Sequence, residues 1–226
     1  MQNIPVVSQI ECLLFDLDGT LIDTADDLCN AMQVLLKRHN KPAVREDTFR
    51  NVVSHGSYAM ICLAFDVERD SPEVEPLRTE FLEIYRQQLS AYSKLFAGMG
   101  EVLETCAKQG KRWGIITNKP EHLTLPLLER LSFPTPPATV VCGDTTTKPK
   151  PSPLPMLKAL EDVGLDARQC VYFGDAARDI EAAANVNMPS VAVTWGYIQP
   201  DDDVNGWGAD CVIDSANAIL EWQKAF

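Results

Sequence analysis

The stretch Cys12-Leu13-Leu14-Phe15-Asp16-Leu17-Asp18-Gly19-Thr20 decides how the chain is read. An apolar run stops at two carboxylates that flank one leucine, and a Gly-Thr turn closes it. The run is short and β-compatible, which predicts a buried strand over residues 10–16 with Asp16 and Asp18 where the strand opens into loop. Extended residues two apart point the same way. Leaving the strand after Asp16 lets one carboxylate serve as nucleophile and the other as proton carrier, both beside a metal ion. The plainer alternative is a strand-ending Asx turn with solvated aspartates.

Downstream the pattern turns helical. Thr24 with Asp27 predicts a capping box that opens a helix running to about Arg38, with Leu28, Met32, Leu35 and Leu36 on its apolar face. Helical periodicity continues over 48–53 and 58–65, then through a long segment with Leu77, Phe81, Ile84, Tyr85, Leu89 and Tyr92 on one stripe. Residues 22–93 therefore read as a helical domain inserted after the first strand, leaving 1–21 and 94–226 as the core domain. From Ser93 onward strands and helices alternate, which predicts an α/β core of parallel βα units. The strands fall at 112–117, 139–143, 170–174, 189–194 and 211–213, and helices start near Met99, Glu121, Pro153 and Ala176 and after Ser215.

Composition narrows the function. The chain has 226 residues, 46% of them hydrophobic, enough to bury a sizeable core. No apolar stretch reaches membrane-spanning length, and no basic region precedes an apolar block, so a cytoplasmic protein without membrane contact is expected. Seven cysteines without any C-x-x-C pair fit a reducing compartment. A net charge of −12 argues against nucleic acid as a partner. The expected partner is a small molecule, with no obligate protein partner evident. If that molecule is anionic it needs local positive charge from lysine, a helix N-terminus or a divalent metal.

In a parallel open sheet the functional groups gather beyond the carboxyl ends of the strands. The strand ending Thr117-Asn118 supplies a hydroxyl and an amide suited to phosphate oxygens, or else a helix cap. Lys148-Pro149-Lys150-Pro151-Ser152-Pro153 sets two lysines on a backbone stiffened by prolines, fixing a cation at the head of the next helix or forming a solvated basic turn. Val171-Tyr172-Phe173-Gly174-Asp175 repeats the opening pattern, and Asp179 follows one helical turn later. Those two carboxylates are either dipole partners of a helix start or, beside Asp16 and Asp18, the rest of an oxygen-rich magnesium site. Cys106 and Arg112 have the C-x5-R spacing of a thiolate phosphatase, but Cys106 lies in a helical run without the glycine-rich loop such chemistry needs.

In this order the four stretches resemble the haloacid dehalogenase superfamily of phosphohydrolases, over nearly the whole chain. The resemblance implies a Rossmann-like parallel sheet with an inserted all-helical cap domain, and a magnesium (Mg2+)-dependent phosphatase working through an aspartyl phosphate. It makes Asp16 the nucleophile, Asp18 the general acid/base, and Thr117, Asn118 and Lys150 the phosphate-binding groups. Asp16, Asp18 and Asp175 become the metal ligands, with Asp179 behind them. Lys150 fits the K-P-x-P-x-P pattern of phosphoglycolate phosphatase-like members better than Lys148, because an apolar pair, Met156-Leu157, follows. A dehalogenase would not use Asp18, and a sugar phosphomutase would want a cap histidine near Leu28, so hydrolysis is expected over transfer or an inactive phosphate-binding module.

For the substrate, a small phosphorylated metabolite bearing a carboxylate is expected. General resemblance points to phosphoglycolate. The stretches 93–96, 113–120, 195–200 and 207–210 resemble N-acetylmuramic acid 6-phosphate phosphatase. In the cap, Arg50, His55 and Ser57 are the candidate substrate contacts, because Val53-Ser54-His55-Gly56-Ser57 is a polar turn opening a helix.

Overall fold

The computed structural model describes residues 9–224. Along the chain run β1 (Cys12–Phe15), β2 (Ile22–Asp23), α1 (Ala25–Arg38), α2 (Glu46–Arg50), α3 (Gly56–Phe65), α4 (Val74–Gln87), β3 (Lys94–Leu95), α5 (Met99–Lys108) and β4 (Arg112–Ile116). There follow α6 (Glu121–Glu129), β5 (Val140–Val141), α7 (Leu154–Val163), β6 (Cys170–Gly174), α8 (Ala177–Ala184), β7 (Ser190–Val193), β8 (Cys211–Ile213) and α9 (Ala216–Gln223). Six strands form one sheet in the order β5-β4-β1-β6-β7-β8, each neighbour parallel to the next. The strand expected over 139–143 pairs at only two residues, Val140 and Val141, because the chain turns at Gly143 to pass close to Asn118.

Position in the sheet explains the composition of β1. It lies between β4 and β6, with Phe15 opposite both Ile115 and Phe173, so both faces are covered and no polar side chain is tolerated. Leu13 and Phe15 face one apolar cluster with Trp113, Ile115, Val171 and helices α5 and α9; Cys12 and Leu14 face the other with Tyr172 and helix α7. The Phe15 and Phe173 rings stack at 5.0 Å. Fully burying each such side chain contributes roughly 1.5 to 3 kcal/mol. Backbone bonds from Glu11 to Gln169 and from Asp16 to Phe173, each 2.8 Å, carry the pairing one residue past either end of the strand. Asp16 is thus the last residue held by the sheet.

Between β2 and β3 the described chain is wholly helical apart from turns. These two short strands pair with each other, Ile22 opposite Leu95 and Asp23 opposite Lys94, so the helical excursion leaves and returns at one point. Two local expectations are corrected here. Thr24 and Asp27 form no capping box. The hydroxyl of Tyr197 accepts the amides of Thr24 (2.7 Å) and Ala25 (3.0 Å). Asp27 instead accepts from the Tyr92 amide (3.0 Å) and from the Ser93 amide and hydroxyl (2.8 and 2.5 Å), tying α1 to the returning chain. Tyr92 is off the apolar stripe and 61% exposed, since α4 ends at Gln87 and the last two members of the predicted stripe lie beyond it. No helix of the described residues is long and apolar enough to cross a membrane, and all seven cysteines are free thiols.

Candidate active site

The carboxyl ends of β1, β4 and β6 converge with the loop before α7. Asp16, buried at 3% exposure, accepts the Leu17 amide on Oδ1 (2.7 Å) and meets the Lys150 ammonium on the same oxygen at 3.0 Å. Lys150 also meets Asp179 Oδ1 at 2.7 Å and donates toward the Ile116 carbonyl (2.8 Å) and the Tyr172 hydroxyl (2.7 Å), with no side-chain exposure at all. Lys148, two residues earlier, is exposed. Of the two lysines, Lys150 is the one placed against Asp16 and Asp179.

Asp175 is the best-cradled of the acids. Its Oδ2 accepts from the Ser54 hydroxyl (2.5 Å) and the Tyr197 amide (3.0 Å), and its Oδ1 lies 3.4 Å from the Thr20 hydroxyl. Two glycines make room for it: a Cβ at Gly19 or at Gly196 would stand 2.0 or 2.4 Å from Oδ2. Gly19 also holds φ at +87°, a conformation other residues adopt only under strain. Asp16, Asp175 and Asp179 offer oxygens all within 4.8 Å of one another. Three buried carboxylates cluster around one ammonium, which touches Asp16 and Asp179 but not Asp175. Burial first, then the charges of Asp16 and Asp179, push the Asp175 carboxyl up to about 7. Burial likewise raises Asp16 against the opposing pull of Lys150. A compact, oxygen-only, electron-rich cluster short of positive charge fits a hard divalent cation such as magnesium.

Asp18 is placed apart. Its carboxylate is not in that cluster: Oδ1 accepts from the Thr24 hydroxyl (2.5 Å) and from Lys119 (2.9 Å). Lys119 also lies over the Tyr85 ring, 4.6 Å from its centroid. Burial alone would lower the Lys119 pKa, but Asp18 and Tyr85 raise it above the ordinary lysine value. Lys119 was not singled out from the sequence, although it follows Thr117 and Asn118 directly.

Asp16, Asp18, Thr117 and Asn118 form the floor of a cavity of about 110 Å³. Thr117 is buried, and its hydroxyl accepts only the Lys119 amide (3.1 Å) among the described residues. Asn118 has a task its sequence did not reveal. Its amide brackets the backbone of Lys150, donating to the carbonyl and accepting from the N–H at 2.9 Å each, so it positions the lysine segment. The opposite wall is apolar, built from Leu28, Val53, Met60, Phe81, Tyr85 and Leu123, with Ser54 and Ser57 as its polar points. Ser57 accepts from Arg78 Nε at 2.9 Å. His55 is exposed and does not line the cavity. Arg50 does not line it either; it pairs with Asp23 at 2.7 Å and stacks over the Tyr197 ring at 5.0 Å.

Comparison with known proteins agrees with this architecture. The family model of haloacid dehalogenase-like hydrolases matches residues 13–193. An N-acetylmuramic acid 6-phosphate phosphatase of Pseudomonas aeruginosa is 39% identical over 213 residues, covering 94% of each chain. A phosphoglycolate phosphatase of Xanthomonas campestris pv. campestris is 41% identical over 209 residues, covering 92% of this chain and 94% of its own. Among solved structures, a predicted phosphoglycolate phosphatase of Haemophilus somnus superposes with a TM-score of 0.80 at 26% identity, covering 95% of this chain and 98% of that one. With a buried aspartate closing the central strand, and a match that runs through all four strand-end stretches, the chain belongs to the haloacid dehalogenase-like hydrolases.

Proposed function

We propose that this protein is a magnesium-dependent phosphoric monoester hydrolase that works through a phosphorylated Asp16. The observation that carries the reading is the setting of Asp16. It is fixed by the last backbone bond of the sheet, lines the cavity, and has one oxygen held by Lys150 and the Leu17 amide, which leaves the other to attack. Thr117 offers its hydroxyl to a phosphoryl oxygen on the same floor. Asp18, held by Thr24 and Lys119 outside the acid cluster, is the proton carrier: it protonates the leaving alkoxide and then takes a proton from the water that cleaves the acyl phosphate. Asp16 and Asp175 would hold magnesium, with Asp179 behind them anchoring Lys150. Bound there, the ion screens the repulsion between carboxylates and phosphate and polarises a phosphoryl oxygen.

The division of labour we infer is a core of residues 1–21 and 94–226 and a helical cap of 22–93. The pairing of β2 with β3 supports it, since the two crossings fall at Ile22–Asp23 and Lys94–Leu95. Leu28 occupies the cavity wall where a phosphomutase would want a histidine, which favours hydrolysis over transfer. The free thiols suit a cytoplasmic enzyme.

For the substrate we propose a small phosphomonoester of the phosphoglycolate kind, supported by the likeness to the Xanthomonas phosphoglycolate phosphatase over nearly the whole of both chains. A second reading, N-acetylmuramic acid 6-phosphate, is favoured by the apolar wall, which suits a bulkier leaving group with apolar faces, and by the Pseudomonas relative. The phosphatase reading is tested by turning over p-nitrophenyl phosphate with and without magnesium, then reducing the trapped intermediate and locating the label by mass spectrometry. Label on Asp16 is expected; an active enzyme labelled elsewhere sinks the reading. Comparing kcat/KM for the two natural esters against that generic one separates the substrates.

A further inference from the structure

Two cations, Lys119 and Arg178, line the cavity and a third, Lys150, lies buried beneath its floor; both lysines are already engaged with carboxylates. Lys150 reaches Asp16 at 3.0 Å and Asp179 at 2.7 Å; Lys119 reaches Asp18 at 2.9 Å. Lys150 has three N–H bonds and four acceptors within 3.0 Å, so in this arrangement it has no donor left for a substrate oxygen. The remaining cation is Arg178, in the first turn of α8. It lines the same cavity as Asp16, Asp18 and Thr117. Among the described residues it closes no ion pair within 4.0 Å, and its buried Nε has no hydrogen-bond partner.

Leaving a buried donor of a charged group unmade is costly, so the arrangement asks for an acceptor from outside the chain. Arg178 is not simply neutralising the acids, because a guanidinium serving that end would close onto a carboxylate as Lys150 does. Arg178 stands one residue before Asp179 in the first turn of α8 and lines the cavity together with Asp16, Asp18 and Thr117, so its charge lies at the floor. We propose that Arg178 binds the phosphoryl group of the substrate, a planar fork taking the oxygens that Lys150 cannot reach while it holds Asp16 and Asp179. This rests on the phosphatase reading of the same site.

The test measures orthophosphate binding by calorimetry in magnesium, for the wild-type protein, Arg178→Gln and Arg178→Lys, with circular dichroism confirming the fold. Arg178→Gln should weaken orthophosphate about tenfold to a hundredfold, the worth of a charge-assisted bond, and should lower kcat/KM by a similar factor for p-nitrophenyl phosphate and 2-phosphoglycolate alike. Arg178→Lys should recover only part of the loss, because it restores the charge without the fork. Unchanged orthophosphate affinity in Arg178→Gln overturns the assignment. So does full recovery by Arg178→Lys, which would mean a field effect without contact, or a loss seen with 2-phosphoglycolate alone, which would make Arg178 a receptor for the leaving-group carboxylate. If Arg178→Gln does not fold, Arg178→Lys carries the test, and wild-type affinity in it counts against the proposal. A wild-type protein that binds orthophosphate and hydrolyses neither ester would sink the phosphatase reading and leave Arg178 standing, whereas full hydrolysis by Arg178→Gln would sink Arg178 alone.

Discussion

At the floor of the cavity and just behind it Asp16, Asp18, Asp175 and Asp179 each meet two or more donors at 2.5 to 3.4 Å; most of these stand in the loops that follow the strands, and one, the Ser54 hydroxyl on Asp175, reaches down from the helical block. Across the cavity, α1, α3 and α4 present leucine, methionine, phenylalanine and tyrosine, with two serines as the polar points. The floor can act on a phosphoryl group whatever is attached to it. The wall holds no charge that would recognise a particular leaving group, so selection there must come from shape and from a few weak polar contacts. Chemistry and choice are thus carried by regions with different physics, and substitutions in the two regions should fail in different ways.

The largest effect belongs to Asp16→Asn. The amide keeps the volume and forfeits the nucleophile, so turnover of every phosphomonoester should fall by roughly four orders of magnitude or more while the protein stays folded. A variant that loses one ester and keeps another would break the division between floor and wall. Lys150→Ala comes next. It leaves Asp16 and Asp179 buried without their shared cation, at roughly 3 to 5 kcal/mol in stability, together with roughly a hundredfold to a thousandfold in rate. Lys148→Ala, at an exposed site, should stay within about 0.5 kcal/mol of wild type in a denaturant titration. The reverse ranking would move the lysine of the site two residues upstream.

A third test reads the charge deficit itself. The Asp175 carboxyl is raised from its ordinary 3.8 to about 7 in the folded protein, so the folded state keeps a proton that the unfolded chain has already released. Stability is then greatest below the unfolded value and falls as pH rises from about 4 to about 7, by at most roughly 2 to 4 kcal/mol, and is level above that. Magnesium binds the ionised carboxylates and should offset the loss. Chelation should therefore lower Tm more at pH 8 than at pH 5. A Tm indifferent to magnesium at pH 8 would mean that the acid cluster holds no cation.

How legible each region was in the sequence follows from how it is built. Asp16, Thr117 and Asp175 stand within two residues of a strand end, so an apolar run stopping at a polar residue was enough to find them, and Asp16 and Asp18 announced themselves by spacing. The proline frame holds both Lys148 and Lys150, and only the family's K-P-x-P-x-P pattern with the apolar pair after it singled out Lys150. At several positions a partner distant in the sequence took over a local preference. Thr24 and Asp27 look like a capping box, but the Tyr197 hydroxyl reaches the helix start from 173 residues away and Asp27 turns to Ser93. Asn118 lines the cavity, but both ends of its side-chain amide are taken by the backbone of Lys150, 32 residues on. Arg50 and His55 were inferred from a polar turn, yet which side of a turn faces the cavity depends on how the helices around it pack, and no local pattern encodes that.

The smallest predicted effect tests the wall directly. Ser57 lines the cavity and is oriented by Arg78 at 2.9 Å, whereas His55, two residues earlier in the same turn, is exposed. One neutral hydrogen bond to a leaving group contributes about 0.5 to 1.5 kcal/mol, so Ser57→Ala should cost about twofold to tenfold in kcat/KM for the preferred ester. It should leave p-nitrophenyl phosphate unaffected, because that compound offers the serine nothing comparable to bind. His55→Ala should change neither. If instead His55→Ala shifts the ratio of the two esters while Ser57→Ala does not, the turn must rotate when substrate binds. The wall would then be shaped by the substrate, while the floor keeps the geometry its strands impose.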